Sequence, residues 1–174
     1  DGLDLKAGRA RIAGRPDIAF DIASLDIGIA SGQPLTVEGE TALWPAKPMS
    51  RFAQAWGAHI EGVKSGAHPA TAAVIGGGVG GVELAMAMHH RLTRLSPSAQ
   101  VTVIEAADQI LPLAPLSLRR TLARKLKALN IDLRTGAKVD RVEGHCAHLA
   151  NGQTVQAAFF ASVAGALPAP WLEQ

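Results

Sequence analysis

The stretch Val74-Ile-Gly-Gly-Gly-Val-Gly-Gly-Val-Glu-Leu-Ala85 sets five glycines between a β-branched pair and a helix-forming run. Ala72–Gly76 reads as a short buried strand that runs directly into the glycines. From Val79 onward, Val82, Ala85, Met86 and His89 recur at helical spacing, and the helix is expected to stop before Ser96-Pro97. Val101–Ile104 then alternates as a β-rich strand ending at Glu105. Strand, glycine turn, helix and strand within about 30 residues make a βαβ unit, whose crossover is right-handed.

The spacing Gly76-x-Gly78-x-x-Gly81 fits a dinucleotide turn, and each glycine has a physical task. Gly76 permits the tight exit from the strand. A side chain at Gly78 would keep a pyrophosphate off the backbone. Gly81 lets the helix pack closely on the strand, and Ala85 does the same one turn later. The first helical N–H groups, around Val79 and Gly80, lack internal partners and with the helix dipole favour an anion. Glu105 follows Gly81 by 24 residues, where a carboxylate accepts hydrogen bonds from ribose hydroxyls and repels a 2′-phosphate. No Arg or Lys lies between Arg94 and Arg119, so NADH is expected in preference to NADPH.

Outward from this unit, a second helix is expected with Ser117 as N-cap and Leu118, Leu122, Leu126 and Leu129 as its apolar stripe. Asn130 suits the left-handed position after it. A meander follows: Lys138–Glu143, a turn at Gly144, His145–Leu149, a turn at Asn151-Gly152, and a last strand through Val163. The first 34 residues show the same layout, with strands at Leu3–Lys6, Arg9–Ile12 and from Ile18, turns at Gly8 and Gly14, and a closing strand at Ser24–Gly28. Each half ends in a short apolar strand, a Gly and then a Pro (Pro34, Pro168), which reads as an internal duplication. In the first half no βαβ unit precedes the meander. Between the halves, Gly39, Pro45 and Pro48 break up the chain, and Ser50 is expected to cap a helix over Arg51–Glu61 with Phe52, Ala55, Trp56 and His59 on one face.

Composition limits the remaining choices. The 174 residues carry a net charge of +2, too small for a polyanion binder, split as −1 over residues 1–70 and +3 over residues 71–174. A single cysteine, Cys146, excludes an internal disulfide framework and suits a reducing compartment, so a cytoplasmic location is expected. Residues 144–172 hold no Asp, Glu, Lys or Arg, but their apolar part, Ala157–Leu167, is 11 residues long and reads as a buried strand. A membrane span needs about 20. His145-Cys146-Ala147-His148 brings at most two ligands to one strand face, so no metal site is expected. His89 and His90 read as one packed and one solvated side chain. The basic residues from Arg119 to Lys127 read as a solvated helix face, with no nucleic-acid site.

VIGGGVGGVELA, followed by Val101-Thr-Val-Ile-Glu-Ala-Ala-Asp-Gln-Ile-Leu-Pro112, resembles the NAD-binding domain of the pyridine nucleotide–disulfide oxidoreductase superfamily. ASLDIG (23–28) and ASVAGALPAPWL (161–172) resemble its two domain-closing strands. Trp44–Pro48 and Pro170–Leu172 are most similar to the type II NADH dehydrogenase-like branch, including the flavoprotein module fused to selenide, water dikinase.

The resemblance implies an α/β, Rossmann-like FAD/NAD(P)-binding domain with a parallel sheet and a three-stranded antiparallel meander, and a partial second copy. Residues 1–45 would be part of an FAD-binding domain, 46–66 a connecting helix and loop, and 67–174 the NAD-binding domain. It implies that Glu83 approaches the nicotinamide end of the cofactor and that Gly165 lets the chain pass close by it. The family usually has Asp where Ala158 stands and Thr where Ala164 stands. The expected activity is hydride transfer from NADH to FAD in an intact NADH dehydrogenase-like enzyme, with this stretch an interior, flavin-free and by itself inactive portion. That step needs alignment and desolvation more than an acid or base, so no catalytic residue is nominated. The electron acceptor stays unassigned, and a homodimer and a peripheral contact with the inner face of a membrane stay open. Two other readings remain at this point: a non-catalytic nucleotide sensor, and FAD in place of NAD at the glycine turn.

Overall fold

The computed structural model describes residues 2–26, 30–31 and 36–167, with backbone alone for residues 30–31, 36–41 and 166–167. The expectations placed on Gly28, Pro34, Pro168 and Pro170–Leu172 lie outside the described residues. Two compact units are present: residues 1–30 with the chain from Leu167, and residues 31–166.

The first unit is an antiparallel meander of β1 (Gly2–Asp4), β2 (Arg9–Arg11) and β3 (Ile18–Ala19). Its turns use Gly8 and Gly14 at φ of 60° and 72°, where the sequence puts them. Arg11 and Asp4 pair at 3.0 Å across the first hairpin. Ser24–Asp26 is not strand.

The second unit carries three layers. After β4 (Ala30–Ser31) come β5 (Thr36–Thr41), β6 (Leu43–Pro45), α1 (Met49–Ser65), β7 (Thr71–Ile75), α2 (Val79–Thr93), β8 (Gln100–Ile104), α3 (Leu116–Ala128) and β9 (Asp132–Arg134). The chain continues through β10 (Val139–Gly144), β11 (Cys146–Leu149), β12 (Thr154–Gln156), β13 (Phe159–Ser162) and β14 (Ala166–Leu167). A five-stranded parallel sheet has the order β6-β13-β7-β8-β9. A second sheet, β12-β11-β10-β5, contains the antiparallel meander plus β5, which lies parallel to β10. The α/β class, the parallel sheet and the meander are as expected.

Strand alternation sorts the core into two clusters. Ala72, Val74, Val101, Val103, Phe159 and Ala161 join Phe52 and Ile60 of α1, Val82, Ala85, Met88 and Leu92 of α2, and Leu126 of α3. Their neighbours Ala73, Ile75, Ile104 and Phe160 join Val139, Val142, Ala147, Leu149 and Val155 of the meander. With helices on one face and a second sheet on the other, β13 is buried at all four residues. That double cover explains the uncharged run around Ala157–Leu167.

Four expectations need correction. The run after Asn151-Gly152 is not one strand: it breaks at Ala157-Ala158, leaving β12 in the meander and β13 in the parallel sheet. Both residues at the break are apolar, so the pattern conceals it. Residue Pro115, not Ser117, precedes α3, and Pro48, not Ser50, precedes α1. Proline fits there because the first helical N–H groups need no intrahelical acceptor. The strands β5, β6 and β9 were not expected. Pro45 marks a sheet edge, where a missing N–H is tolerated, and not a break. Asn130 does take a positive φ of 54°.

Candidate functional site

The C-terminal ends of β7, β8 and β13 open into one cleft of about 730 Å³. Gly76, Gly78, Val79, Glu105 and Gly165 line it, all named from the sequence. Apolar walls come from Ile75, Leu111, Val139 and Val163. The C-terminal edge of a parallel sheet is where open α/β folds bind ligands.

The glycines divide by what surrounds them. Gly76 takes φ 113°, and a Cβ there would stand 3.0 Å from Val163 Cγ2. At Gly81 a Cβ would collide with the carbonyl oxygen of Gly76, so the close helix–strand packing expected there is real. Gly78 differs: an added Cβ meets nothing within 4 Å, although the residue lines the cleft. The Gly80 position is open as well, exposed and off the cleft lining. Gly78 is the N-cap of α2, and no side chain caps that helix. Its first-turn N–H groups therefore have no capping side chain and no acidic residue within the turn.

Gly77 was not singled out in the sequence, yet both of its backbone polar groups are held. Its N–H donates to Oε2 of Glu105, whose Oε1 accepts the Ala107 N–H at 2.8 Å. The Gly77 carbonyl accepts the Leu111 N–H at 3.0 Å. Leu111 is buried at φ 48°, a left-handed conformation that a leucine rarely takes and that clusters at functional sites. A Cβ on Gly77 would lie 2.9 Å from both Glu105 Cβ and Ile110 Cγ2. The loop after β8 thus grips both polar groups of this residue. The Glu105 carboxylate has two of its roughly four acceptor positions in use, which leaves the others for a ligand hydroxyl.

Gly165 lines the cleft at φ 76°. Glu83 is exposed on α2 and is not among the lining residues. Leu113, fully exposed at the rim, is a lining residue that the sequence reading passed over. Among the described residues, no group of three or more His, Cys, Asp or Glu has metal-binding geometry. No helix among them is long and apolar enough to cross a membrane.

A glycine turn at a parallel strand end, an uncapped helix behind it and a carboxylate on the next strand define a dinucleotide-binding fold of the two-sheet type. The chain belongs to the pyridine nucleotide-disulphide oxidoreductase family, whose family model matches residues 16–174. It is similar to dihydrolipoyl dehydrogenase from Acholeplasma laidlawii, 36% identical over 78 residues that cover 45% of this chain and 21% of the relative. The corresponding enzyme from Bacillus subtilis (strain 168) is 39% identical over 71 residues, covering 41% and 14%. These matches thus span about a fifth or less of the curated relatives.

Among solved structures, an FAD-dependent pyridine nucleotide-disulphide oxidoreductase from Desulfovibrio vulgaris is 25% identical with a TM-score of 0.66, covering 95% of this chain and 42% of that one. The fold is also shared with NDH2 from Plasmodium falciparum, a structure in complex with NADH, at 15% identity and a TM-score of 0.75, covering 91% and 37%.

Proposed function

We propose that this chain holds NADH at the glycine turn and presents it to a flavin, as the NADH-binding portion of an FAD-dependent, NADH dehydrogenase-like oxidoreductase. The observation that carries the reading is the open space at Gly78. Gly78 lines the cleft, and a Cβ there would meet no protein atom within 4 Å, beside the uncapped start of α2. A pyrophosphate held there would take the hydrogen bonds that the first-turn N–H groups cannot make within the helix.

NADH, when bound, supplies a hydride. The chain's own residues do the rest. Gly78, Val79 and Gly80 bring backbone close to the phosphates, while Gly76 and Gly81 hold strand and helix together. Glu105 accepts from the ribose hydroxyls and disfavours a 2′-phosphate. Gly165 and the apolar wall of Val163, Val139 and Leu111 shield the site from water, and Glu83 remains the candidate at the nicotinamide end. No side chain is asked to donate or take a proton. The family membership and the NADH in the Plasmodium falciparum structure support this choice of nucleotide; the FAD dependence of the Desulfovibrio vulgaris protein supports the flavin.

The test is titration of the chain with NADH, NADPH and FAD while following tryptophan fluorescence. NADH should bind tightest. Tighter binding of FAD, competed by NADH, would overturn the assignment.

A further inference from the structure

A second cleft, of about 780 Å³, lies at the opposite end of the parallel sheet. It touches β13 at Phe159, whereas the nucleotide cleft touches the chain at Val163–Gly165, beyond the other end of the same strand. One wall is a stripe of α1: Arg51, Gln54, Ala55, Ala58 and His59, at the spacing that shares a helix face. Facing it are Trp44 of β6, Phe159, and the His68 and His145 loops.

We propose that this cleft binds a small organic anion, a carboxylate or phosphate carried on an apolar body. Among the described residues, the polar side chains of the lining are Arg51, Gln54 and three histidines, with no Asp or Glu. All of these can donate hydrogen bonds, and the guanidinium matches a two-oxygen acceptor. The apolar share comes from Trp44, Phe159 and alanines at 42, 55, 58 and 158, whose small size leaves the space open. A bare inorganic ion would leave most of that volume empty.

His59 gives the second observation. It is 4% exposed, and its Nε2 has no hydrogen-bond partner among the described residues. Its ring stacks on His68 at 5.5 Å and 19°, and Trp56 and Phe159 pack against it at 5.4 and 5.3 Å. A buried polar nitrogen without a partner is destabilising. A ligand oxygen entering beside His68 would supply that partner. Burial first, then His68 and His145, hold the His59 pKa down at about 4, so His59 itself offers no charge at neutral pH, and Arg51 carries a permanent one.

The experiment follows imidazole proton shifts by NMR during titration with benzoate, phenyl phosphate and the neutral control benzyl alcohol. At least one of the two anions should saturate and shift His68 and His145, and which one binds tighter separates carboxylate from phosphate. Benzyl alcohol should not saturate. Arg51→Ala removes the charge from an exposed position, and Ala158→Asp puts a carboxylate into the cleft; each should weaken the anion about tenfold or more. If Ala158→Asp does not fold, Arg51→Ala alone decides. Saturating NADH should leave the shifts in place. Neither anion saturating by about 10 mM, equal binding of benzyl alcohol, wild-type affinity in Arg51→Ala, or displacement by NADH would each overturn the proposal.

Discussion

The N–H of Gly77 is bonded to the carboxylate of Glu105, which lies 28 residues further along the chain. Glu105 therefore has a structural task besides any contact with ribose. Glu105→Ala should weaken NADH by more than tenfold and narrow its advantage over NADPH, since a charge-assisted hydrogen bond contributes about 1.5–3 kcal/mol. Glu105→Gln keeps an acceptor for Gly77 and should fall between. Parallel NADH and NADPH titrations check this, and an unchanged preference in Glu105→Ala would remove the selectivity role.

Gly78→Ala and Gly77→Ala should separate binding from folding. The first places a methyl in open space and should leave thermal unfolding within experimental error while binding drops tenfold or more. The second forces a methyl against Glu105 and Ile110 and should destabilise by about 1–3 kcal/mol. A destabilised Gly78→Ala with intact binding would contradict the open-space reading.

How much of this was legible follows from where the information sits. The βαβ unit is local: Val74-Ile, the glycines, the stripe through Val82 and Ala85, and Val101–Ile104 lie within one continuous stretch. Glu105 could be placed by counting. The grip on Gly77 could not, because it needs Leu111 in a left-handed conformation that no pattern announces. Strand β9 is three residues, Asp132-Leu133-Arg134, too short and too charged to read. The second cleft gathers His59, His68 and His145 from a helix, a loop and a meander turn, so only long-range pairing brings them together.

Acid should unfold the protein partly through His59. The unfolded side chain takes a proton near pH 6.5, whereas the folded one resists until about pH 4. Between those values the unfolded state binds more protons, so stability falls as pH falls through that window and levels off below it. The loss is up to about 3 kcal/mol. Urea unfolding at about pH 7 and pH 4.5 should show a smaller difference in His59→Phe than in wild type. An equal difference would place the acid sensitivity elsewhere.

Ser162→Ala should be neutral or mildly stabilising, by up to about 1 kcal/mol. Ser162 is 1% exposed at the end of β13, and its Oγ has no partner among the described residues. Denaturant midpoints measure this directly. A loss above about 1 kcal/mol would mean that the hydroxyl has a bonded partner in solution.

The grip on Gly77 bears on how such a turn could be transplanted. Residues 74–85 carry all the glycines but not the shape of their backbone, which depends on Glu105 and Leu111 from the next crossover. Moving the glycine segment alone onto another sheet would carry the letters and lose the mould. A working graft has to include residues 105–111, because the contacts that hold Gly77 come from that loop.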